Sequence, residues 1–298
     1  MDSILRLNEV RKTYEKKVAV DNVSFEVPRG SIFGLLGPNG AGKTSLIRII
    51  TTIIRADSGQ VFIDGEKLHS NHPYQIGYMP EERGLYRKMK VGEHLLYLAQ
   101  LKNLSKTEAR TKIDEWLERF EITDWWDKKV EELSKGMQQK IQFIATVVHQ
   151  PKLLILDEPF SGLDPLNTNL IKSEIHNLRE QGTSIIFSTH RMEQVEEICE
   201  HIVLINNGNN VLEGEVATIK EQFKDHLYRL DFVGAPPTSP PPNSQIVEQS
   251  DKHLLLQLQD GGDARSLLGH FVQSGTHIIA FNEILPSLNE IFIRQVQS

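Results

Sequence analysis

The chain has 298 residues, 39% of them apolar and 24% charged, with one cysteine and a formal net charge of -7. That length can bury one large core with an appendage or two separate cores, and the acidic balance argues against a surface built mainly for nucleic acid, though not against a local basic patch. A single cysteine excludes an intrachain disulfide, and apolar runs such as LLIL and SIIF fall far short of the roughly 20 residues of a membrane-crossing helix.

From the N-terminus, MDSILRLNEV has neither a basic leader nor a long apolar core, which makes the cytoplasm the default location. ILRLNEV and VAVDNVSFEV alternate as strands, and Pro28, Arg29 and Gly30 turn the chain into the apolar strand SIFGLL. The loop GPNGAGKT follows, then a helix expected over 45–54, and ADSGQVFIDGEKL reads as a hairpin around Asp64 and Gly65. Helical spacing then takes over in an insertion at about 85–150 that also carries Trp116, Trp125 and Trp126, plainly read as core or partner contacts. Its last helix starts near Ser134 and stops before Pro151.

LLILDEP is short, continuous and apolar, as a strand buried on both faces should be. Helices over 169–180 and 192–199 then alternate with strands over 184–188 and 202–205, which implies a largely parallel α/β core in a domain spanning 1–224. Cys199 falls in the helical pattern MEQVEEICEHI and reads as a small buried apolar residue that also fits a reducing compartment. From 225 to 298 the pattern becomes a small α+β domain, with strands LYRLDFV, SQIVEQ, HLLLQLQ and THIIAF, the helix DARSLLGHFVQSG and a closing amphipathic helix LPSLNEIFIRQV. APPTSPPPN could be a linker, but apolar alternation resumes on both sides and it reads as a stiff loop inside that small domain.

The chemistry starts at GPNGAGKT. A strand, a glycine-rich loop and a helix start form the context of a phosphate-binding P-loop, in which Gly37, Gly40 and Gly42 keep side chains away from a polyphosphate and let N–H groups point at it. Lys43 adds a cation for the terminal phosphates and Thr44 a hydroxyl for Mg²⁺; Pro38, Asn39, Ala41 and Ser45 complete the nucleotide-binding stretch. Asp157, at the end of a buried strand, lies at the carboxyl edge where parallel sheets bind ligands and can hold Mg²⁺. Glu158, one residue further, can polarise a water for attack on a γ-phosphate. No HExxH or paired histidine spacing and no GxSxG elbow occurs, so zinc and acyl-transfer chemistry have no local support.

With these motifs in hand, the chain resembles the ATP-binding subunit of an ABC transporter over roughly residues 4–220. LSKGMQQK resembles the signature motif, with Ser134 as an N-cap and Lys135, Gly136 and Met137 behind it. SGLD, ending in Asp164, resembles the D-loop; His190 matches the switch histidine; and Tyr14 matches the aromatic residue that stacks on adenine. The resemblance implies ATP and Mg²⁺ as ligands. It further implies that ATP lies between GPNGAGKT of one subunit and LSKGM of a second copy or a similar ATPase subunit, and that a separate multi-span permease holds the protein at the inner face of the cell membrane.

Two positions depart from the pattern. Glu81 stands where glutamine is usual, as a metal-site carboxylate that adds negative charge near the triphosphate. Lys135 and Met137 replace glycine and glutamine in the signature, and Lys135 either supplies a cation to the partner's nucleotide or points to solvent. PEERGLY, LSKGMQQK and the C-terminal domain resemble the branch of sodium-exporter and drug-exporter ATPases, which implies export. A soluble cassette ATPase acting on ribosomes or DNA, and a regulatory nucleotide-binding module without turnover, are the rival readings. The C-terminal domain's role is open among dimer contact, regulation and structural support.

Overall fold

The N-terminal alternation folds as expected into β1 (Ser3–Tyr14) and β2 (Lys17–Pro28), which join β4 (Ser58–Ile63) and β5 (Glu66–Lys67) in an antiparallel sheet of order β2-β1-β4-β5. Asp64 and Gly65 turn between β4 and β5 with φ of 53° and 80°, the two consecutive positive values that a tight two-residue hairpin needs. The computed structural model describes residues 2–15, 17–82, 84–234, 240–259 and 261–297. Arg83 of PEERGLY and residues 235–239 of APPTSPPPN lie outside the described residues, and with them most of the expected stiff loop.

A second sheet positions the chemistry. It contains β3 (Ile32–Leu36), β6 (Ile76–Met79), β7 (Leu153–Asp157), β8 (Ser184–Thr189), β9 (His201–Asn206) and β10 (Asn209–Glu215) in the order β10-β9-β3-β8-β7-β6. All neighbours are parallel except β10, which runs antiparallel to β9. Every residue of β3, β7 and β8 is buried, which explains why their sequences are apolar without alternation. Strand β10 was not expected from NNVLEGE, which is too polar to read as a strand. Its signal was the turn at Asn207 (φ 48°) and Gly208 (φ 81°), an Asn-Gly hairpin pair.

Helices fill the connections: α1 (Lys43–Ile50), α2 (Val91–Leu101), α3 (Lys106–Arg119), α4 (Lys135–Val147), α5 (Pro165–Glu180) and α6 (Met192–Ile198). Two of them correct the expected bounds. Helix α1 begins at Lys43 and stops at Ile50, because the Thr51 hydroxyl donates to the Ile47 carbonyl at 2.8 Å and Thr52 turns to φ 62°. Helix α5 begins at Pro165 because Asp164 caps it, accepting from the Asn167 N–H at 2.9 Å, and Pro165 occupies the first helical position.

The tryptophans hold the helical insertion together. Gly92 of α2 lies so close under Trp126 that a Cβ there would be 2.2 Å from the indole, while the Arg110 guanidinium of α3 covers that ring at 3.4 Å. Trp116 of α3 meets Phe143 of α4 edge to face at 6.0 Å. Cys199 is buried, which pushes its thiol above the ordinary value.

The chain divides into two compact units, Met1–Val216 and Ala217–Ser298. In the second, β11 (Leu227–Val233), β12 (Ser244–Gln249), β13 (His253–Leu258) and β14 (His277–Ile284) form an antiparallel sheet of order β12-β13-β11-β14. Leu230, Phe232, Leu254 and Leu256 pack with Leu267 and Phe271 of α7 (Ala264–Gln273), a helix capped by Asp263. The closing helix (Leu288–Gln297) is tied by Arg294 to Asp225 at 3.0 Å.

Two histidines of the first unit carry a stability consequence. His94 is fully buried with neither ring nitrogen hydrogen-bonded, and burial pushes its pKa down to about 4; His149, whose Nε2 meets the Ile76 carbonyl at 3.2 Å, is also pushed down to about 4. Between pH 6.5 and 4 the unfolded chain takes up protons that the folded chain refuses. Stability is therefore full above pH 6.5 and falls as the pH drops through that window. We expect urea titrations to lose about 2 kcal/mol per histidine between pH 7 and pH 5. His94→Leu should remove one such share; an unchanged pH slope would rule out His94 as a source.

Candidate active site

The loop between β3 and α1 owes two of its glycines to the protein rather than to a ligand. A Cβ on Gly37 (φ 144°) would sit 2.1 Å from the Ile205 carbonyl oxygen of β9, and one on Gly42 (φ 117°) 2.4 Å from that of Ala19 in β2. Gly40 (φ 81°) faces open space, and the exposed Asn39 precedes it. The loop is therefore clamped at both ends against backbone and free at its middle, where N–H groups can approach an anion. Lys43 is buried at the start of α1, and its ammonium donates to the carbonyls of Gly37 at 2.6 Å and Pro38 at 3.1 Å.

A cavity of about 270 Å³ opens beside this loop, lined by residues 39–45 and by Tyr14, Lys17, Ala19, Glu81, Asp157 and Glu158. Gly37 and Pro38 are not in its wall; they hold Lys43 from behind. Tyr14, at the end of β1, is 40% exposed and lines the cavity, with the Lys12 ammonium 5.7 Å from its ring centre. Burial pushes the Lys43 ammonium below the ordinary lysine range, while Asp157, Glu158 and Glu81 pull it back up.

The carboxylates arrive from neighbouring strand ends. Asp157 ends β7, is buried, and accepts from the Ser188 hydroxyl of β8 at 2.8 Å. Burial raises its pKa, Glu158 and Glu81 raise it further, and the Ser188 hydrogen bond and Lys43 oppose the rise. Glu158 follows with φ 50°, a left-handed conformation unusual for a glutamate. Its N–H donates to the Ser188 carbonyl at 2.9 Å, and its carboxylate accepts from the Thr189 hydroxyl at 3.0 Å and the His190 N–H at 2.9 Å. The same oxygen lies 2.6 Å from His190 Nδ1, so the two residues expected to act together are in contact, 32 positions apart in the chain. Ser188 and Thr189, which hold these acids, were not singled out in the sequence; their signal was the hydroxyl pair ending the strand SIIFST.

The signature residues are elsewhere. Ser134 caps α4, its hydroxyl accepting from the Met137 N–H at 3.3 Å, and Lys135 is exposed beside it. Gly136 leaves room at its surface, since a Cβ there would meet nothing nearer than 3.8 Å. Asp164 caps α5, and its hydrogen bonds to Asn167 hold its carboxyl below the usual carboxylate range. None of Ser134, Lys135, Gly136, Met137 or Asp164 lines the P-loop cavity.

Thr44, Glu81 and Asp157 offer only oxygen donors to one cavity, a set suited to a hard divalent cation such as Mg²⁺. A second cluster was missed in the sequence despite its E-x-x-H-x-x-H spacing: Glu66, His69 and His72 bring their donor atoms within 4.8 Å of one another. There the Nδ1 atoms of His69 and His72 accept from the backbone N–H groups of Asn71 and His69, at 3.2 and 3.1 Å. That leaves the hydrogen of each neutral ring on Nε2, and His69 Nε2 faces Glu66 at 3.3 Å as a donor. The cluster is a hydrogen-bonded network and does not present two bare ring nitrogens.

Residues 20–161 match the family described as ABC transporter, and residues 214–296 match the one described as ATP-binding protein DrrA1-3-like, C-terminal domain. The uncharacterized ABC transporter ATP-binding protein YhaQ of Bacillus subtilis is 50% identical over 220 residues, 74% of either chain. The lipopolysaccharide export system ATP-binding protein LptB of Haemophilus influenzae is 33% identical over 238 residues, 78% of this chain and 98% of LptB. A solved ATP-binding subunit of an ABC transporter superposes with a TM-score of 0.69 at 30% identity, covering 74% of this chain and 93% of that one. The chain thus belongs to the ABC transporter ATP-binding proteins, the cassettes that bind and hydrolyse ATP.

Proposed function

We propose that this chain powers an exporter as one of two facing ATPase subunits, with a separate multi-span permease carrying the cargo. The observation that carries the reading is the separation just described: Ser134 and Gly136 lie outside the cavity that holds Lys43 and Glu158. One subunit therefore holds half a site, and a second copy or a similar subunit, turned head to tail, supplies LSKGM. Closure brings that helix N-terminus to the γ-phosphate and excludes water.

Within the cavity, residues 39–45 cradle the phosphates, Tyr14 stacks on adenine, and Thr44, Asp157 and Glu81 would hold Mg²⁺. Bound there, the ion would supply positive charge that offsets the phosphates. Glu158, oriented by Thr189 and His190, positions the attacking water, and His190 contacts the γ-phosphate. Loss of that phosphate removes what holds the two subunits shut, and the difference in binding energy between open and closed states moves the permease.

The permease's place is suggested by an apolar groove of about 360 Å³ between β6, α2 and α4, lined by Ile53, Tyr78, Leu85, Leu98 and Leu101 among others. Leu101 and Ile53 are 54% and 58% exposed there, so the groove offers apolar side chains to a partner. The groove also contains Pro80, next to Glu81, so a segment seated in it sits beside the nucleotide. Export is supported by the export role in LptB's name. The membrane location rests on the permease, since no helix among the described residues is long and apolar enough to cross a membrane.

Glu158→Gln should lower ATP turnover at least about 100-fold and yield dimers that persist with MgATP. Size-exclusion chromatography checks this, and a variant that stays monomeric at saturating MgATP would contradict the paired site. Leu101→Asp, at an exposed position, should leave turnover of the isolated chain within about twofold while abolishing co-purification of a multi-span protein from native membranes. Undiminished co-purification would remove the groove from the interface.

A further inference from the structure

The charged side chains lining the nucleotide cavity are Lys17 and Lys43 on one side and Glu81, Asp157 and Glu158 on the other. Two cations against three carboxylates leave the ionised wall at one net negative charge before any ligand arrives. ATP without a metal brings several more. Asp157 is held by Ser188 and Glu158 by Thr189 and His190, so both are fixed parts of the sheet edge. Glu81 is the remaining acid, and among the described residues no ion pair neutralises it.

Its position is built rather than accidental. Strands β6 and β7 pair in parallel with Met79 opposite Leu156, so the two chains leave the sheet side by side, toward Glu81 on one and Asp157 and Glu158 on the other. The Pro80 carbonyl accepts from Gln142 Nε2 of α4 at 2.8 Å, which anchors the residue immediately before Glu81. The carboxylate acts electrostatically on the Lys43 ammonium, which lines the same cavity. A negative charge in this wall repels a bare polyphosphate and is offset when a divalent cation comes with it.

We propose that Glu81 is a charge gate, the residue that makes this cavity accept nucleotide as its divalent-metal complex and reject metal-free nucleotide. The inference rests on the nucleotide-site reading above and concerns selection of the ligand form, not the hydrolytic step. Removing the charge while keeping the shape releases metal-free ATP from repulsion, and the glutamine amide oxygen still offers the ion an oxygen donor.

The test is ATP binding to the full chain by isothermal titration calorimetry, once in EDTA and once with excess Mg²⁺, for the wild type, Glu81→Gln and the neighbouring Glu82→Gln. Glu81→Gln should bind metal-free ATP about tenfold more tightly, which narrows the preference for MgATP over metal-free ATP, whereas Glu82→Gln, at an exposed residue outside the cavity wall, should change neither affinity. The gate is overturned if Glu81→Gln leaves the metal-free affinity unchanged, or if it weakens MgATP alone, which would make Glu81 only a metal ligand. Wild-type protein that binds neither form would instead overturn the nucleotide-site reading.

Discussion

Parallel pairing of β8 with both β3 and β7 sets Leu36 opposite Thr189 and Asp157 opposite Ser188, and the meeting of the phosphate loop, the acids and His190 follows from that alignment. The three strands end level with one another. The phosphate loop leaves β3, the acids leave β7, and the hydroxyls and His190 leave β8. No side chain has to reach far, because the backbone ladder has already brought the strand ends together. The strands can be level only because they are buried on both faces, where a shift of register would expose apolar residues or strand backbone groups without partners.

Rigidity around the loop has a cost and a use. Gly37 and Gly42 occupy conformations and spaces closed to other residues, Glu158 accepts a strained backbone, and Lys43 is buried with loop carbonyls as its partners. Each of these would weaken an isolated segment. Here the surrounding sheet over-determines them, so the donors are in place before a ligand arrives and little reorganisation remains. The strain sits where the chemistry is, and the long apolar strands behind it supply the stability that tolerates it.

Much of this was legible because the signals are local. Continuous apolar runs told buried strands from alternating ones, Asp64-Gly65 marked a hairpin, and Ser134 marked the start of α4. Where reading failed, a local pattern outran its physical basis. The apolar periodicity of SLIRIITTII continues past Ile50, but Thr51 and Thr52 end the helix; NNVLEGE has little strand character, and β10 forms because the turn at Asn207 and Gly208 delivers it to an open edge of β9. Asp164 looked like part of a ligand motif and proves to be a helix cap as well, a role that explains why α5 starts at Pro165.

Residue types and spacing by themselves determined the two-part architecture, the phosphate loop and the order of motifs along the chain, because each depends on neighbours a few positions away. Only the tertiary structure decided that Glu158 and His190 touch, that Gly37 and Gly42 serve packing while Gly40 stays open, that Glu81 and Lys43 line one cavity, and that the signature helix stands apart from it. His94 belongs with these: nothing in GEHLLYL signals a fully buried imidazole without partners. Such facts are set by which strands and helices lie side by side, and sheet order is a property of the whole packed core that no short stretch of sequence contains.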